Sequence, residues 1–400
     1  MANPVCSAVQ HGLCITAYGA INPCCSSLDF KHITEIDSIV DYIRNDSELE
    51  EARQIELTDK WLNECRYCKT KSEKGLISRK DKFLDWYKFA DKEWSVENKN
   101  VIVHMDISFG NTCSQQCIMC NSNFSSKWLN YDKELVETIT EEDDRKFARN
   151  FDLLKLKNWS LSYKHLDQIA SLVTEDTKRI EIKGGEPLYD KRFEYFVNAV
   201  VERNPDVSLS TNTNGIHFTD KNIQMLNRIG KLNIDVSYDG IGKIYEWIRS
   251  STWETAQKNF RNYLKNGKHT PTLNYTTMIY NVDHFEEYYH WAADMSEEYD
   301  KEIPIHFTQV VNSPRHIGPT FAEKSRIKNG IQQLERIYED PRQAGASTSG
   351  IYKPRIHKMI EYLTKCYDEE ISNRDIERSL AVQDWMSTVR GWDIRDHFNM

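Results

Sequence analysis

The chain has 400 residues, 39% hydrophobic and 28% charged, with a formal net charge of −9 at pH 7. That length holds two or three domains with full cores, and that composition is ordinary for a globular protein. The acidic balance argues against a general nucleic-acid binder. No apolar run approaches a membrane span, and Met1-Ala-Asn-Pro-Val opens without a signal-peptide apolar region. The expected location is therefore the cytoplasm, with no membrane and no nucleic-acid partner. Ten cysteines in a reducing compartment are not expected to pair as disulfides. Nine of the ten fall before residue 121, a clustering that points to metal or iron–sulfur chemistry.

In chain order, the first expected unit is residues 1–95. Leu13 to Ile21 reads as two short strands about Gly19, a hairpin, and Asn22-Pro23 then delivers Cys24-Cys25. Ile36 to Glu51 is helix-like, with Ile39, Val40 and Ile43 as its apolar face. Cys65-Arg-Tyr-Cys68 is a knuckle whose two sulfurs can share one centre. Cys6 and Cys24 complete a four-thiolate set with Cys65 and Cys68. Cys25 competes with Cys24 for the same position, and Cys14 between Leu13 and Ile15 reads as a packed thiol. A structural zinc site is the competing reading of this set. Residues 70–99 are lysine-rich and carry Trp86, Tyr87 and Trp94; they read as a linker packed on the next domain.

Residues 96–312 repeat one theme, strand then helix. Val101 to Ser108 alternates and runs into Cys113-Ser-Gln-Gln-Cys117-Ile-Met-Cys120. Three cysteines, not four, is the informative count. A [4Fe–4S] cube held by three thiolates keeps one iron free for another ligand, whereas structural zinc takes a closed set of four. The bland alternative is core cysteines or part of a zinc site. Further strands are expected at Arg179–Lys183, Val207–Thr211, Leu232–Val236, Leu273–Tyr280 and Ile303–Thr308. Phe193, Phe196, Val197 and Val200 mark one helix between them, and Thr219 caps another carrying Ile223 and Leu226. Six strands alternating with helices imply a parallel sheet with right-handed crossovers, too few to close an eight-stranded barrel. The expected fold class is thus α/β, a partial (β/α)6 TIM-like barrel with a small Cys-rich N-terminal domain. Residues 313–400 read as a helical C-terminal extension, with a Gly/Ser-rich loop at 343–350 and a lone buried thiol at Cys366.

Polar motifs gather just past the strand ends, where parallel barrels keep their chemistry. Gly184-Gly185-Glu186-Pro187 follows one strand: two glycines admit a close ligand, and a carboxylate accepts from an ammonium. Thr211-Asn-Thr-Asn-Gly215 ends the next, and Ser237-Tyr-Asp-Gly240 the one after. Arg249 closes an amphipathic segment (Ile244, Trp247, Ile248) and suits bidentate recognition of a carboxylate. Each has an ordinary alternative as a turn or a helix cap.

Taken in this order over residues 100–310, the motifs resemble the radical SAM superfamily. The resemblance implies that Cys113, Cys117 and Cys120 hold a [4Fe–4S] cluster completed by S-adenosylmethionine. Gly184, Gly185 and Glu186 would meet its ammonium; Ser237, Arg249 and Asn212 would meet its ribose and carboxylate. Reductive cleavage would then give a 5′-deoxyadenosyl radical that takes hydrogen from a substrate. The N-terminal cysteines resemble a SPASM or twitch module holding one auxiliary [4Fe–4S] cluster, here placed before the barrel and without the full cysteine set. A peptide or protein side chain is the first substrate expectation, since auxiliary modules are common among peptide-modifying relatives. A small molecule such as a sugar or nucleoside is the second, and a non-catalytic iron–sulfur or zinc scaffold the third. An electron donor such as flavodoxin or ferredoxin is the implied partner.

Overall fold

The computed structural model describes residues 6–58, 60–74, 77–88, 101–148, 159–309, 314–340, 342 and 352–397. The expectations for Trp94 and for the loop at 343–350 lie outside these residues, as do the side chains of Trp86 and Tyr87. Two compact units share the chain: Met1–Thr112 with Asn158–Thr211 and Arg228–Leu232, and Cys113–Lys157 with Asn212–Asn227 and Asn233–Met400.

The first unit is built on strands β1 (Gly12–Ile15), β2 (Ala20–Asn22), β3 (Lys31–His32), β4 (His104–Ser108), β5 (Arg179–Lys183) and β6 (Ser208–Thr213), in the order β3-β2-β1-β4-β5-β6. The hairpin is present: β1 and β2 pair antiparallel, Ile15 opposite Ile21, and Gly19 turns the chain at φ +93°. Its first strand does more than the sequence suggested. β1 lies parallel to β4, with Leu13 beside Met105 and Ile15 beside Ile107, so the hairpin extends the parallel sheet. Alternation puts Leu13, Ile15, Met105, Ile107, Ile180, Ile182 and Leu209 on one face, all shielded from solvent. The opposite face carries Cys14, His104, Asp106, Glu181 and Ser210, which are buried too. A buried polar face must be internally paired. Lys183 Nζ lies 2.8 Å from Asp106 and 2.6 Å from Glu181, and Arg179 Nε donates to Glu181 at 3.0 Å.

The stretch from Ile36 to Glu51 becomes two helices, Ile39–Asn45 and Ser47–Glu56. Asp46 separates them because its carboxylate accepts the amides of Glu48 and Leu49 and caps the second helix. Residues Arg79–Lys88 of the lysine-rich segment are helical.

The second unit holds β7 (Lys231–Ser237), β8 (Thr272–Thr277) and β9 (Ile305–Gln309), parallel, with Val236 beside Leu273 and Tyr275 beside Phe307. Lys231 and Leu232 count with the first unit, and Asn212 and Thr213 at the end of β6 with the second. Helices Gly242–Arg249, Trp253–Asn266 and Phe285–Tyr299 follow, and their inner aromatics Tyr245, Phe260 and Trp291 pack with Tyr238. Helices Lys324–Glu339, Tyr352–Asp368 and Asn373–Arg390 supply the helical C-terminal part, where Cys366 is buried as expected. The expected α/β class is present, with β4, β5 and β6 parallel in the first unit and β7, β8 and β9 parallel in the second. Among the described residues no helix is long and apolar enough to cross a membrane.

Candidate functional site

The loop carrying the cysteine trio is held by its backbone and by the residues between the thiols. Gln115 is buried; its amide donates to Tyr245 Oη at 3.1 Å and Ser251 Oγ at 3.0 Å. The Gln116 amide donates to Ser250 Oγ at 2.8 Å, and Ile118 N–H to the Ile248 carbonyl at 2.9 Å. Trp128 Nε1 donates to the Cys117 carbonyl at 2.9 Å, and Arg390 clamps the Gln116 carbonyl. The three-residue gap between Cys113 and Cys117 is thus fastened to the C-terminal end of helix Gly242–Arg249. Cys113 and Cys120 stay partly exposed while Cys117 is buried.

Arg249, expected at a cofactor carboxylate, is tied within the protein. Its Nη2 lies 2.5 Å from Asp239 Oδ2, and its Nη1 donates to Cys117 Sγ at 3.5 Å. Asp239 is fully buried and also accepts the Thr276 amide at 2.7 Å. Burial works against the guanidinium charge, but the Asp239 carboxylate and the Cys117 sulfur outweigh it and hold Arg249 above its ordinary range. The arginine therefore presents a fixed positive charge to the central thiol of the trio. A second donor reaches the trio at Cys113, whose sulfur accepts the Gln115 amide at 3.5 Å. Cationic and N–H donors favour thiolate, the form that ligates iron. Three soft donors on one loop, two of them receiving N–H groups, fit a cluster that leaves one iron for an outside ligand.

Asn214, within the Thr211-Asn-Thr-Asn-Gly215 motif, is buried and donates to Ser114 Oγ at 3.1 Å. Asn212 is exposed and Ser237 is half-buried at the end of β7. Asp239, within Ser237-Tyr-Asp-Gly240, carries no local signal of its role, because a buried carboxylate needs a partner and only folding shows which.

In the first unit the Gly-Gly-Glu turn has a geometric reason for both glycines. Gly184 and Gly185 adopt φ +82° and +56°. A Cβ on Gly185 would stand 2.0 Å from the Thr112 carbonyl oxygen; one on Gly184 would stand 2.9 Å from the Gly110 oxygen. The Glu186 amide donates to that same Thr112 carbonyl at 2.9 Å. The turn after β5 is thus pressed on the backbone that leads to Cys113. Glu186 is buried, and its Oε1 accepts the Leu188 amide at 3.1 Å, with Pro187 opening the short 3-10 turn Pro187–Tyr189.

The first unit also brings the N-terminal thiols together. Cys6, Cys24, Cys65 and Cys68 line one small cavity with Glu56 and Lys80, and all four are buried. Cys25 is exposed and does not line it, so Cys24 is the member of the pair that faces the other thiols. Burial, then the Glu56 carboxylate, pushes the Cys6 thiol up to about 11; burial, then Cys6, pushes Cys24 up to about 12. Four buried cysteines around one cavity are the donor set of a tetrathiolate centre; as thiolates they would repel one another, and a bound metal would supply the missing positive charge. Among the described residues, no group of three or more His, Cys, Asp or Glu side chains is already gathered as tightly as a single metal ion requires. Cys14 is packed in β1, its thiol pushed well up by burial.

Residues 107–292 match the family model of the radical SAM superfamily. GTP 3′,8-cyclase of Aliarcobacter butzleri (strain RM4018) is 31% identical over 99 residues, 24% of this chain and 27% of the relative. Streptococcus suis SuiB bound to the precursor peptide SuiA is similar over 70% of this chain and 60% of its own, at 12% identity and a TM-score of 0.42. Native anSMEcpe with bound AdoMet and the Cp18Cys peptide is similar over 61% of each chain, at 13% identity and a TM-score of 0.41. The chain thus spans 27% of the length of its curated relative and 60–61% of these two structures. The matched stretch contains Cys113, Cys117 and Cys120 together with Gly184, Gly185, Glu186, Ser237 and Arg249.

Proposed function

We propose that the chain is a radical enzyme whose Cys113, Cys117 and Cys120 hold a [4Fe–4S] cluster completed by S-adenosylmethionine, and that its substrate is a peptide or protein side chain. When bound, the pair supplies reductive cleavage to a 5′-deoxyadenosyl radical able to take hydrogen from carbon. The protein's own task is to hold, orient and shield. The observation that carries the reading is the cysteine loop itself, fastened on both sides of Cys117 and facing the Asp239-held guanidinium of Arg249. In this reading Arg249 Nη1 steadies the thiolate of Cys117. Its Nε, buried with no hydrogen-bond partner, remains as a donor for a cofactor carboxylate. Gly184 and Gly185 give a side-chain-free approach to the methionine ammonium, and Glu186 offers it a carboxylate. Ser237 and Asn212 serve the ribose.

Residues 1–95 act as an auxiliary-cluster domain through Cys6, Cys24, Cys65 and Cys68, residues 96–312 as the catalytic barrel, and 313–400 as a helical extension. A cytoplasmic flavodoxin or ferredoxin supplies the electron. The peptide reading is supported by the four-thiol cavity, the donor set of an auxiliary centre. A second reading, a nucleoside-like small molecule as substrate, is favoured by the 99-residue likeness to GTP 3′,8-cyclase. Anaerobic reconstitution with iron and sulfide, then dithionite and S-adenosylmethionine, tests the class. 5′-Deoxyadenosine forms if the proposal is right; a fully iron-loaded protein that yields none defeats it. Turnover enhanced by peptide pools rather than by nucleotides separates the two substrates.

A further inference from the structure

Inside the N-terminal cavity lies a charged pair that neither the sequence motifs nor the radical chemistry use. Glu56 is 1% exposed and Lys80 3%. Glu56 Oε1 accepts the Cys6 amide at 3.0 Å and the Lys80 ammonium at 2.8 Å. Its other oxygen, Oε2, is buried with no hydrogen-bond partner. Both residues line the cavity shared by Cys6, Cys24, Cys65 and Cys68, and the Lys80 ammonium stands 4.6 Å over the Trp61 ring. A buried ion pair is poor value as a stabiliser, because desolvation consumes most of the attraction and an apolar pair would serve as well. A carboxylate beside four thiols is worse still unless positive charge is close by. The arrangement is explained if the site must balance charge, not merely fill space.

We infer that Glu56 and Lys80 are positioning residues of the four-thiol site: Glu56 tethers the Cys6 ligand through its amide, and Lys80 sets how readily a cluster held there accepts an electron. The inference rests on the reading of those thiols as a cluster site. Reduction adds one negative charge to a cluster in a cavity of low dielectric. A fixed ammonium favours that state and a fixed carboxylate opposes it. The two charges therefore act with opposite sign, which a purely structural role does not predict.

The test uses the full chain with Cys113, Cys117 and Cys120 all replaced by Ala, so that only the N-terminal centre contributes. After anaerobic reconstitution with iron and sulfide, iron content is measured first, and the cluster is then titrated with titanium(III) citrate and followed by EPR. Lys80→Met makes the reduction equilibrium at least tenfold less favourable, a shift of about 59 mV downward for a one-electron couple. Glu56→Gln, which keeps an acceptor for the Cys6 amide, shifts the potential upward, and Lys80→Arg restores the parent value. Iron-loaded Lys80→Met and Glu56→Gln proteins whose potentials do not move, or move in the same direction, overturn the inference. A parent chain that binds zinc or nothing fails at the iron assay, and that failure refutes the cluster reading itself. If Lys80→Met does not fold, the upward shift of Glu56→Gln and the unchanged value of Lys80→Arg decide the question.

Discussion

Replacing Gly185 with Ala separates two costs that a glycine turn usually confounds. Gly185 sits at φ +56°, and Gly242, at the start of helix Gly242–Arg249, sits at φ +54°. For a residue with a Cβ, the left-handed conformation costs about 1–2 kcal/mol at either position. Gly242 has nothing within 4 Å of an added Cβ, so Gly242→Ala carries that cost alone. At Gly185 the Cβ falls 2.0 Å from the Thr112 oxygen, a backbone atom that cannot swing aside. Relieving the overlap separates the turn from Thr112 and breaks the Glu186-to-Thr112 hydrogen bond, about 1 kcal/mol. Backbone displacement of this kind adds about 1–3 kcal/mol more. Gly185→Ala is therefore expected to lose about 3–6 kcal/mol, against about 1–2 for Gly242→Ala. Urea unfolding of both variants measures the difference. S-Adenosylmethionine titration of the reconstituted proteins, read from the cluster's EPR signal, should show weakened binding only for Gly185→Ala. Equal destabilisation, or unchanged affinity in Gly185→Ala, refutes the reasoning that the glycine exists to let this turn press on the stem of the cysteine loop.

Other outcomes follow from the same geometry. Cys117→Ala should abolish S-adenosylmethionine cleavage while iron remains at the N-terminal thiols; loss of all iron from the variant speaks against two separate sites. Asp239→Ala leaves the Arg249 guanidinium buried without its carboxylate and should cost about 3–5 kcal/mol. A thermal-denaturation change no larger than that of a surface substitution would show that the pair is not the anchor it looks. Glu181 is buried, which raises its pKa, yet His104, Lys183 and Arg179 outweigh burial and hold it well below its ordinary 4.5. A depressed carboxylate contributes stability that is fully present above about pH 4.5 and is lost as pH falls below it. Urea midpoints should therefore drop more steeply in wild type than in Glu181→Gln between pH 5 and pH 3 (roughly the range of carboxylate titration); parallel curves count against the paired-charge account of this sheet face.

Much of this protein is local, and what is local was legible. The alternation of Leu232, Ile234 and Val236, the apolar stripe Phe193, Phe196, Val197 and Val200, and the cap at Thr219 each follow from the period of one element. The spacing of Cys113, Cys117 and Cys120 required no fold to suggest a three-thiolate loop. Asp46 shows the limit of reading by period: the apolar pattern runs through it, but its carboxylate caps a new helix and cuts the stretch in two.

What folding alone decided is every pairing between distant residues. β1 joining β4 is such a case, because the match of Leu13 and Ile15 to Met105 and Ile107 is a register between segments some ninety positions apart. The choice between Cys24 and Cys25 is another: neighbours on a chain point in different directions, and only Cys24 faces the cavity of Cys6, Cys65 and Cys68. The sequence determined which chemical groups are available and where the chain turns. Burial then determined their use, since a carboxylate or guanidinium removed from water must find its opposite charge. Hence Arg249 went to Asp239 and Cys117, and Glu56 to Lys80.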